Sequence, residues 1–138
     1  SIVAVERVPK DKVSRYGIVG GKKISDTILD ISEFVEKPGI KEAPSDLAIA
    51  GRYILTPDIY KALENTPRGK NNEIQLTDAL MYQTKREPVM ASIIEGVRYD
   101  IGNKMDYLKT IVEYGLKRKE FCDPFSEFLR KKIKELDK

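Results

Sequence analysis

Apolar residues in this chain follow two different spacings, which predict its secondary structure. Where they alternate with polar residues, or form short runs bounded by glycine, proline or polar clusters, strands are expected. Where they recur every third or fourth residue, helices are expected. The predicted strands are IVAVERV (2–8), RYGIVGGK (15–22, ending in a Gly-Gly turn), TILDISEFVEKP (27–38), LAIAGRYIL (47–55) and PVMASIIE (88–95).

One of these strands has a pattern specific enough to predict a register. Unbroken alternation along residues 27–38 places Ile28, Asp30, Ser32 and Phe34 on one face. Residues 47–55 instead form a nearly continuous apolar run that is interrupted by Gly51. Such a run is typical of a strand buried on both faces or approached closely by another backbone.

Helices are predicted between and after the strands. The pattern predicts a helix after Thr56 as N-cap, another within residues 73–86, and two amphipathic helices at the C-terminus, the last over residues 123–138. The segment RYDIGNK (98–104) is predicted as a short strand followed by Asn103 as the N-cap of a long helix. Residues 67–72 are a loop by composition. This order predicts an α/β protein with a mixed sheet covered by helices.

Composition excludes several kinds of site. The 25 basic and 22 acidic residues are largely interleaved, so no basic stripe for nucleic acid is expected. One cysteine and no histidine exclude an internal disulfide, a Cys/His zinc site and any imidazole-based triad. No apolar run is long enough to span a bilayer. We therefore expect a cytoplasmic protein without nucleic acid or membrane partners.

Three short motifs contain residues suited to chemistry. Gly17 in YGIV leaves backbone groups open to close approach. Glu36 and Lys37 in FVEKP, and Asp100 in RYDIGNK, lie near predicted strand ends, where ligands collect in open α/β sheets. Carboxylates accept hydrogen bonds from sugar hydroxyls or bind Mg²⁺, and lysine binds phosphate. Each motif also has a plain interpretation, as a strand bulge or as solvated charge.

The motifs occur in an order that resembles a known family. VPKDKVSRYGIV, FVEKP, APSDLAIAGRYILTPDIYKALENT, NEIQLTDAL and RYDIGNK follow one another as in the later portion of bacterial-type UTP:glucose-1-phosphate uridylyltransferases. The chain is also similar, less closely, to the wider sugar-nucleotidyltransferase family, which includes thymidylyltransferases. The resemblance implies the back half of a Rossmann-like mixed-sheet nucleotidyltransferase fold with C-terminal helices.

The resemblance also implies roles for particular residues. Glu36 would hold glucose hydroxyls, Lys37 would contact the sugar phosphate as the catalytic lysine, and the backbone at Gly17 would border the sugar. Ile49 would line the glucose pocket, and Asp100 would be one of two carboxylates on Mg²⁺. The implied substrates are UTP and glucose 1-phosphate. The residues of EIQLTDAL (73–80) are interpreted separately, as the start of a packed helix in which Glu73 or Asp78 makes structural hydrogen bonds, although this segment can also border the active site.

The chain departs from the family at its front. The Gly-rich segment that cradles the triphosphate, and the other metal-binding Asp, are not found in it. Residues 1–138 are therefore interpreted as the C-terminal, sugar-binding part of a nucleotidyltransferase domain without its nucleotide-binding part, and inactive alone. Association with another copy or with the missing half is expected, because truncation exposes sheet edges. The alternatives are a stand-alone sugar-phosphate-binding module, an assembly module without catalysis, or thymidylyl specificity.

Overall fold

Residues 1–96 form a mixed sheet with two helices on it. The computed structural model describes residues 1–69 and 72–137, and the chain divides into two compact units, residues 1–96 and 97–138. Within the described residues of the first unit, the elements are β1 (Ile2–Arg7), a 3-10 helix (Lys10–Arg15), β2 (Gly17–Lys23), β3 (Ile28–Glu36), β4 (Leu47–Ile54), α1 (Asp58–Glu64), α2 (Leu76–Thr84) and β5 (Met90–Ile93). The predicted loop over residues 67–72 lies partly outside the described residues, at positions 70 and 71.

The strands pair in the order β1-β4-β2-β3-β5. All pairs are antiparallel except β1 with β5, which is parallel. The prediction of a mixed α/β sheet is therefore confirmed. The sequence did not predict that the sheet closes, which happens because β5 pairs with β1 on one side and β3 on the other.

A β-bulge between β2 and β3 overturns the predicted register of β3. Gly20 pairs with Glu33 and Gly21 pairs with Ile31, so Ser32 is an extra residue in β3. The side-chain alternation changes phase there. Ile31 is in the core and Phe34 packs against that same core, whereas unbroken alternation would place them on opposite faces. Glu36, two residues after Phe34, consequently lies on the face that bears the core.

The bulge also explains the adjacent glycines, which were predicted as a turn. Both lie inside β2, which continues to Lys23. A methyl group on Gly21 would lie 2.0 Å from the carbonyl oxygen of Asp30. Only a residue without Cβ can therefore pair this closely with the bulged strand.

The core lies between the sheet and its helices. Its buried members come from every strand and from both helices, as in Val3, Val19, Ile31, Ile59 and Leu80. β4 contributes less than predicted, because only Leu47 and Ala48 are buried and Ile54 is largely exposed. Gly51 has a φ of 72°, at the point where the β1–β4 register shifts. Thus the interruption in the apolar run marks an irregularity of the strand.

The Thr56 side chain does not cap α1, contrary to prediction. Pro57 occupies the N-cap position, and the Thr56 hydroxyl donates to Glu87 Oε1 at 2.6 Å while accepting from Gln83 Nε2 at 2.8 Å. Glu87 and Gln83 are distant in sequence, so a local pattern could not reveal this competing use of the hydroxyl. The Thr56 carbonyl still accepts from the Ile59 N–H at 3.1 Å.

The second unit is a pair of helices, α3 (Lys104–Lys117) and α4 (Lys119–Leu136). Asn103 caps α3 as predicted, accepting from the N–H groups of Met105 and Asp106 at 2.9 and 3.2 Å. Residues 98–100 are not a strand, because no strand among the described residues pairs with them. The last helix begins at Lys119, earlier than predicted, and includes Pro124.

Apolar side chains of these two helices remain exposed in the structure, among them Leu108, Ile111, Phe128, Ile133 and Leu136. The predicted association with another copy or with the missing half is consistent with such a surface and stays a prediction. In the described part of the chain, every helix is too short or too polar to cross a membrane.

Candidate functional site

A small polar and apolar cluster forms around Gly17 in the first unit. Gly17 begins β2 and pairs with Glu36 at the end of β3. A methyl group on Gly17 would lie 3.0 Å from Glu36 Oε2, 3.0 Å from Ile49 Cδ1 and 3.3 Å from Thr77 Cγ2. Three predicted site residues, Gly17, Glu36 and Ile49, are therefore brought together, and the missing side chain of Gly17 leaves the space between them.

Glu36 lies at the edge of this cluster with part of its carboxylate in solvent. Its side chain is 26% exposed, and Oε1 lies 3.7 Å from Lys37 Nζ. A carboxylate in such a position can accept hydrogen bonds from an incoming ligand without paying the full cost of burying a charge.

Lys37 has an unusual backbone conformation. Its φ is 49°, in the left-handed region that non-glycine residues rarely adopt. The Lys37 N–H donates to the Tyr16 carbonyl at 3.0 Å, which continues the β2–β3 pairing by one step. Its side chain is 51% exposed. A left-handed backbone of this kind costs a non-glycine residue about 1–2 kcal/mol, and the role of Lys37 stays a prediction.

Thr77 is a member of the cluster that the sequence analysis missed. It is in the first turn of α2 and 8% exposed, yet its hydroxyl has no hydrogen-bond partner among the described residues. A buried hydroxyl without a partner costs roughly 1–3 kcal/mol. The sequence analysis interprets residues 73–80 as a packed helix that can also border the active site, and it does not select Thr77.

Glu73 and Asp78, predicted to make structural hydrogen bonds, lie beside this threonine in sequence. Glu73 Oε2 accepts from Gln75 Nε2 at 3.3 Å, and the Glu73 carbonyl accepts from the Gly69 N–H at 2.8 Å. A methyl group on Gly69 would lie 3.0 Å from Asp78 Oδ2. These contacts agree with a structural role for Glu73 and place Asp78 against the loop at Gly69.

The pKa of the Tyr53 phenol depends on the electrostatics of the cluster around Gly17. Burial raises the pKa of its phenol, and the negative charge of Glu36 raises it further. Both effects disfavour a second negative charge beside Glu36. The phenol therefore stays protonated, and able to donate a hydrogen bond, throughout the physiological range.

This gives a pH prediction. Difference titration of the ultraviolet phenolate absorbance, wild type minus Tyr53→Phe, is expected to show Tyr53 ionising above the ordinary phenol pKa of about 10. Glu36→Gln should lower that pKa, while Glu33→Gln, on the same strand, should not. Because the pKa of Tyr53 is raised in the folded state, the contribution of the protonated phenol to folding stability is complete below pH ~10. That contribution is lost as the pH rises through the folded-state pKa. A Tyr53 pKa at or below the ordinary value would contradict this account.

Asp100 belongs to the second unit. Its Oδ1 accepts from the Gly102 N–H at 3.1 Å, and its carbonyl accepts from the Asn103 N–H at 3.1 Å. None of the described residues engages the other carboxylate oxygen. A hard oxygen atom of this kind suits Mg²⁺. Within residues 1–69 and 72–137, however, no group of three or more His, Cys, Asp or Glu side chains could hold a metal ion.

Comparison with known proteins places the chain. The nucleotidyl transferase family model matches residues 1–115. The chain is a nucleotidyl transferase family member.

Several known proteins are similar to this nucleotidyl transferase chain in sequence and in fold. A UTP–glucose-1-phosphate uridylyltransferase from Streptococcus pneumoniae is 44% identical over 137 residues, which are 99% of this chain and 46% of that protein. A UDP-glucose pyrophosphorylase solved with UDP-glucose is 47% identical with a TM-score of 0.79, over 85% of this chain and 44% of the other. The corresponding Acinetobacter baumannii enzyme is 36% identical with a TM-score of 0.82, over 94% and 45%. The predicted family and fold are therefore confirmed, and the chain spans about half the length of the curated relatives it matches.

Proposed function

We propose that this chain supplies the sugar-phosphate side of a UTP:glucose-1-phosphate uridylyltransferase site. The observation that carries the proposal is the cluster around Gly17, where Glu36, Ile49 and Thr77 surround a space that a methyl group would fill. The cluster combines an apolar wall with carboxylate and hydroxyl groups, as expected for a site that binds one face of a hexose and its hydroxyls.

The polar groups of the cluster suit sugar hydroxyls. The Glu36 carboxylate accepts hydrogen bonds, and the Thr77 hydroxyl can both donate and accept. Because Thr77 Oγ1 has no partner among the described residues, a sugar hydroxyl within reach would remove the cost of burying it. Ile49 and the backbone at Gly17 would pack against the sugar ring.

Lys37 would contact the phosphate of glucose 1-phosphate. In the proposed reaction an oxygen of that phosphate attacks the α-phosphorus of UTP, a new P–O bond forms, and pyrophosphate leaves with the electrons of the broken bond. Such a reaction depends on alignment and charge stabilisation more than on covalent participation of the protein. A half-exposed ammonium beside Glu36 can meet the incoming dianion without first being extracted from a buried pair.

Asp100 would provide one carboxylate ligand for Mg²⁺, through the oxygen that Gly102 does not engage. When bound, the ion neutralises charge on the phosphates during transfer. The preference for UTP over dTTP rests on the uridylyltransferase and UDP-glucose pyrophosphorylase names of the similar proteins.

The proposal can be tested with a chimera. The segment of the pneumococcal relative that matches this chain would be replaced by residues 1–138, and pyrophosphate release from UTP, glucose 1-phosphate and Mg²⁺ would be measured. Activity is expected, and Asp100→Asn and Glu36→Gln should each abolish most of it, whereas Glu33→Gln should not. A chimera that binds UTP but does not turn over, or turnover unaffected by both substitutions, would refute the proposal.

The space at Gly17 gives a second prediction. Gly17→Ala in the chimera is expected to raise the KM for glucose 1-phosphate about tenfold, equivalent to ~1.4 kcal/mol, with little change in the KM for UTP. The added methyl group would meet Glu36 Oε2 and Ile49 Cδ1 at 3.0 Å and displace them. Steady-state kinetics with each substrate varied provides the measurement. Gly39→Ala, in which the methyl group meets only the flexible Glu42 side chain, is the control.

A further inference from the structure

A buried glutamine connects the C-terminal end of α2 to two neighbouring segments. Gln83 is in the last turn of α2 and is 2% exposed. Its Nε2 donates to Thr56 Oγ1 at 2.8 Å and also to Glu87 Oε1. Thr56 lies between β4 and α1, and Glu87 lies between α2 and β5. One amide group therefore fixes this end of the helix to the segments that follow β4 and precede β5.

The acceptors of the Gln83 amide are themselves fixed to the sheet. The Thr56 hydroxyl donates to Glu87 Oε1 at 2.6 Å, and the Thr56 N–H donates to Ser1 Oγ at 3.1 Å. The Ser1 carbonyl in turn accepts from the Met90 N–H at 2.9 Å, where β1 pairs with β5. The glutamine thus holds α2 against the strands and not against a free loop.

Stability alone does not explain a glutamine at this position. Gln83 Oε1 is buried and has no hydrogen-bond partner among the described residues. Leaving such an atom unpaired is unfavourable, whereas an apolar side chain of similar shape can be neutral or stabilising. Apolar burial, which Ala79 and Leu80 already provide on α2, has no preferred direction. Hydrogen bonds from one amide to two acceptors require alignment, so the glutamine specifies where α2 lies.

The other end of α2 carries a member of the cluster around Gly17. Thr77 is in the first turn, and its Cγ2 would lie 3.3 Å from a methyl group on Gly17. The six residues from Thr77 to Gln83 rise about 9 Å, so a tilt of about 10° would move Thr77 by roughly 1.5 Å. Ile49 of the same cluster is on β4, which ends just before Thr56. The contact between Gln83 and Thr56 therefore joins the two elements that bring Thr77 and Ile49 to Gly17.

We propose that Gln83 is a positioning residue for Thr77: by fixing the end of α2 to Thr56 and Glu87, it sets where the Thr77 side chain lies beside Gly17. The consequence for sugar binding rests on the proposed function. Gln83 itself does not touch the substrate. It acts through α2, which carries the Thr77 hydroxyl to the site.

The first test measures the position of Thr77 in residues 1–138 without any ligand. In the wild type, a strong nuclear Overhauser effect is expected between the Thr77 methyl group and the α protons of Gly17. Gln83→Met keeps an unbranched side chain but deletes both hydrogen bonds, so it should weaken this signal severalfold. Thr56→Val, which removes an acceptor outside α2, should weaken it too. Thr84→Val is the matched control, because the Thr84 hydroxyl donates to the Met81 carbonyl within the same helix.

The second test measures kinetics in the chimera. Gln83→Met is expected to raise the KM for glucose 1-phosphate about tenfold, since misplacement by about 1 Å can cost up to 100-fold. The KM for UTP and kcat should change little, because the sugar contact is the same before and during transfer. In a Thr77→Val background the hydroxyl is already absent, so adding Gln83→Met should raise the KM for glucose 1-phosphate little further.

The outcomes separate positioning from stability and from the proposed function. A wild-type Thr77–Gly17 signal in Gln83→Met, or KM effects of Gln83→Met and Thr77→Val that simply multiply, would overturn the positioning role and leave the proposed function standing. A weakened signal together with an inactive unsubstituted chimera would support the positioning role and refute the proposed function. The urea midpoint of Gln83→Met is expected to equal or exceed that of the wild type, and a midpoint well below it would make the role of Gln83 structural.

Discussion

Lys37→Ala in the chimera is expected to lower kcat/KM by about 100- to 1,000-fold, the range typical of removing one group that stabilises developing charge. The physical reason is loss of the ammonium that would neutralise the sugar phosphate. The loss should appear in kcat as well as in the KM for glucose 1-phosphate, because charge on the attacking oxygen changes during transfer. Steady-state kinetics of pyrophosphate release provides the measurement.

Two controls separate charge from backbone. Lys22→Ala removes an exposed lysine of β2 and should leave kcat/KM unchanged. Lys37→Gly removes the same charge and also relieves the positive φ of 49°, so it should be as inactive as Lys37→Ala but more stable by about 1 kcal/mol. If Lys37→Ala kept wild-type turnover, the catalytic role of this lysine would be wrong.

Gly21→Ala is expected to destabilise the chain by about 3 kcal/mol, the upper end of the usual cost of overpacking. The added methyl group would lie 2.0 Å from the Asp30 carbonyl oxygen. Since the obstacle is backbone in a paired strand, no side-chain rotation can relieve it. Urea unfolding monitored by circular dichroism measures the loss, and Gly39→Ala, facing a flexible side chain, should cost far less.

The same substitution tests the link between the bulge and the site. If β2 and β3 avoid the clash by pairing without the bulge, the side-chain alternation of β3 changes phase and Glu36 moves to the opposite face of the sheet. In the chimera, Gly21→Ala should then weaken the binding of glucose 1-phosphate as strongly as Glu36→Gln does. Wild-type stability together with wild-type KM would show that Gly21 is not required for the bulge.

Much of the fold was predictable because its signals are local. The five paired strands follow alternating or short apolar runs, and Asn103 caps α3 through atoms two and three residues away. The family was predictable for a similar reason, since ordered motifs such as FVEKP can be recognised from the sequence alone. The short strand at residues 98–100 was wrong because a strand needs a partner, and a partner is not a property of the segment itself.

The site was predictable only in part. Gly17, Glu36, Ile49 and Lys37 were selected from motifs, but their assembly depends on which face of β3 bears Glu36. Thr77 was missed because two properties of the structure distinguish it: its buried hydroxyl has no partner among the described residues, and its side chain approaches Gly17, which lies 60 positions earlier in the chain. The sequence analysis also missed Tyr53, because only the structure shows its burial near Glu36.

The sequence by itself determined the order of the five paired strands and of the helices, the family, and the residue types available for a site. Those properties depend on neighbouring residues and on composition. Only the tertiary structure decided the closure of the sheet, the phase of β3 after Ser32, and the grouping of Thr77 and Tyr53 with Glu36. Each of these is a pairing or packing between segments far apart in the chain, and a single inserted residue in β3 is enough to change which side chains meet.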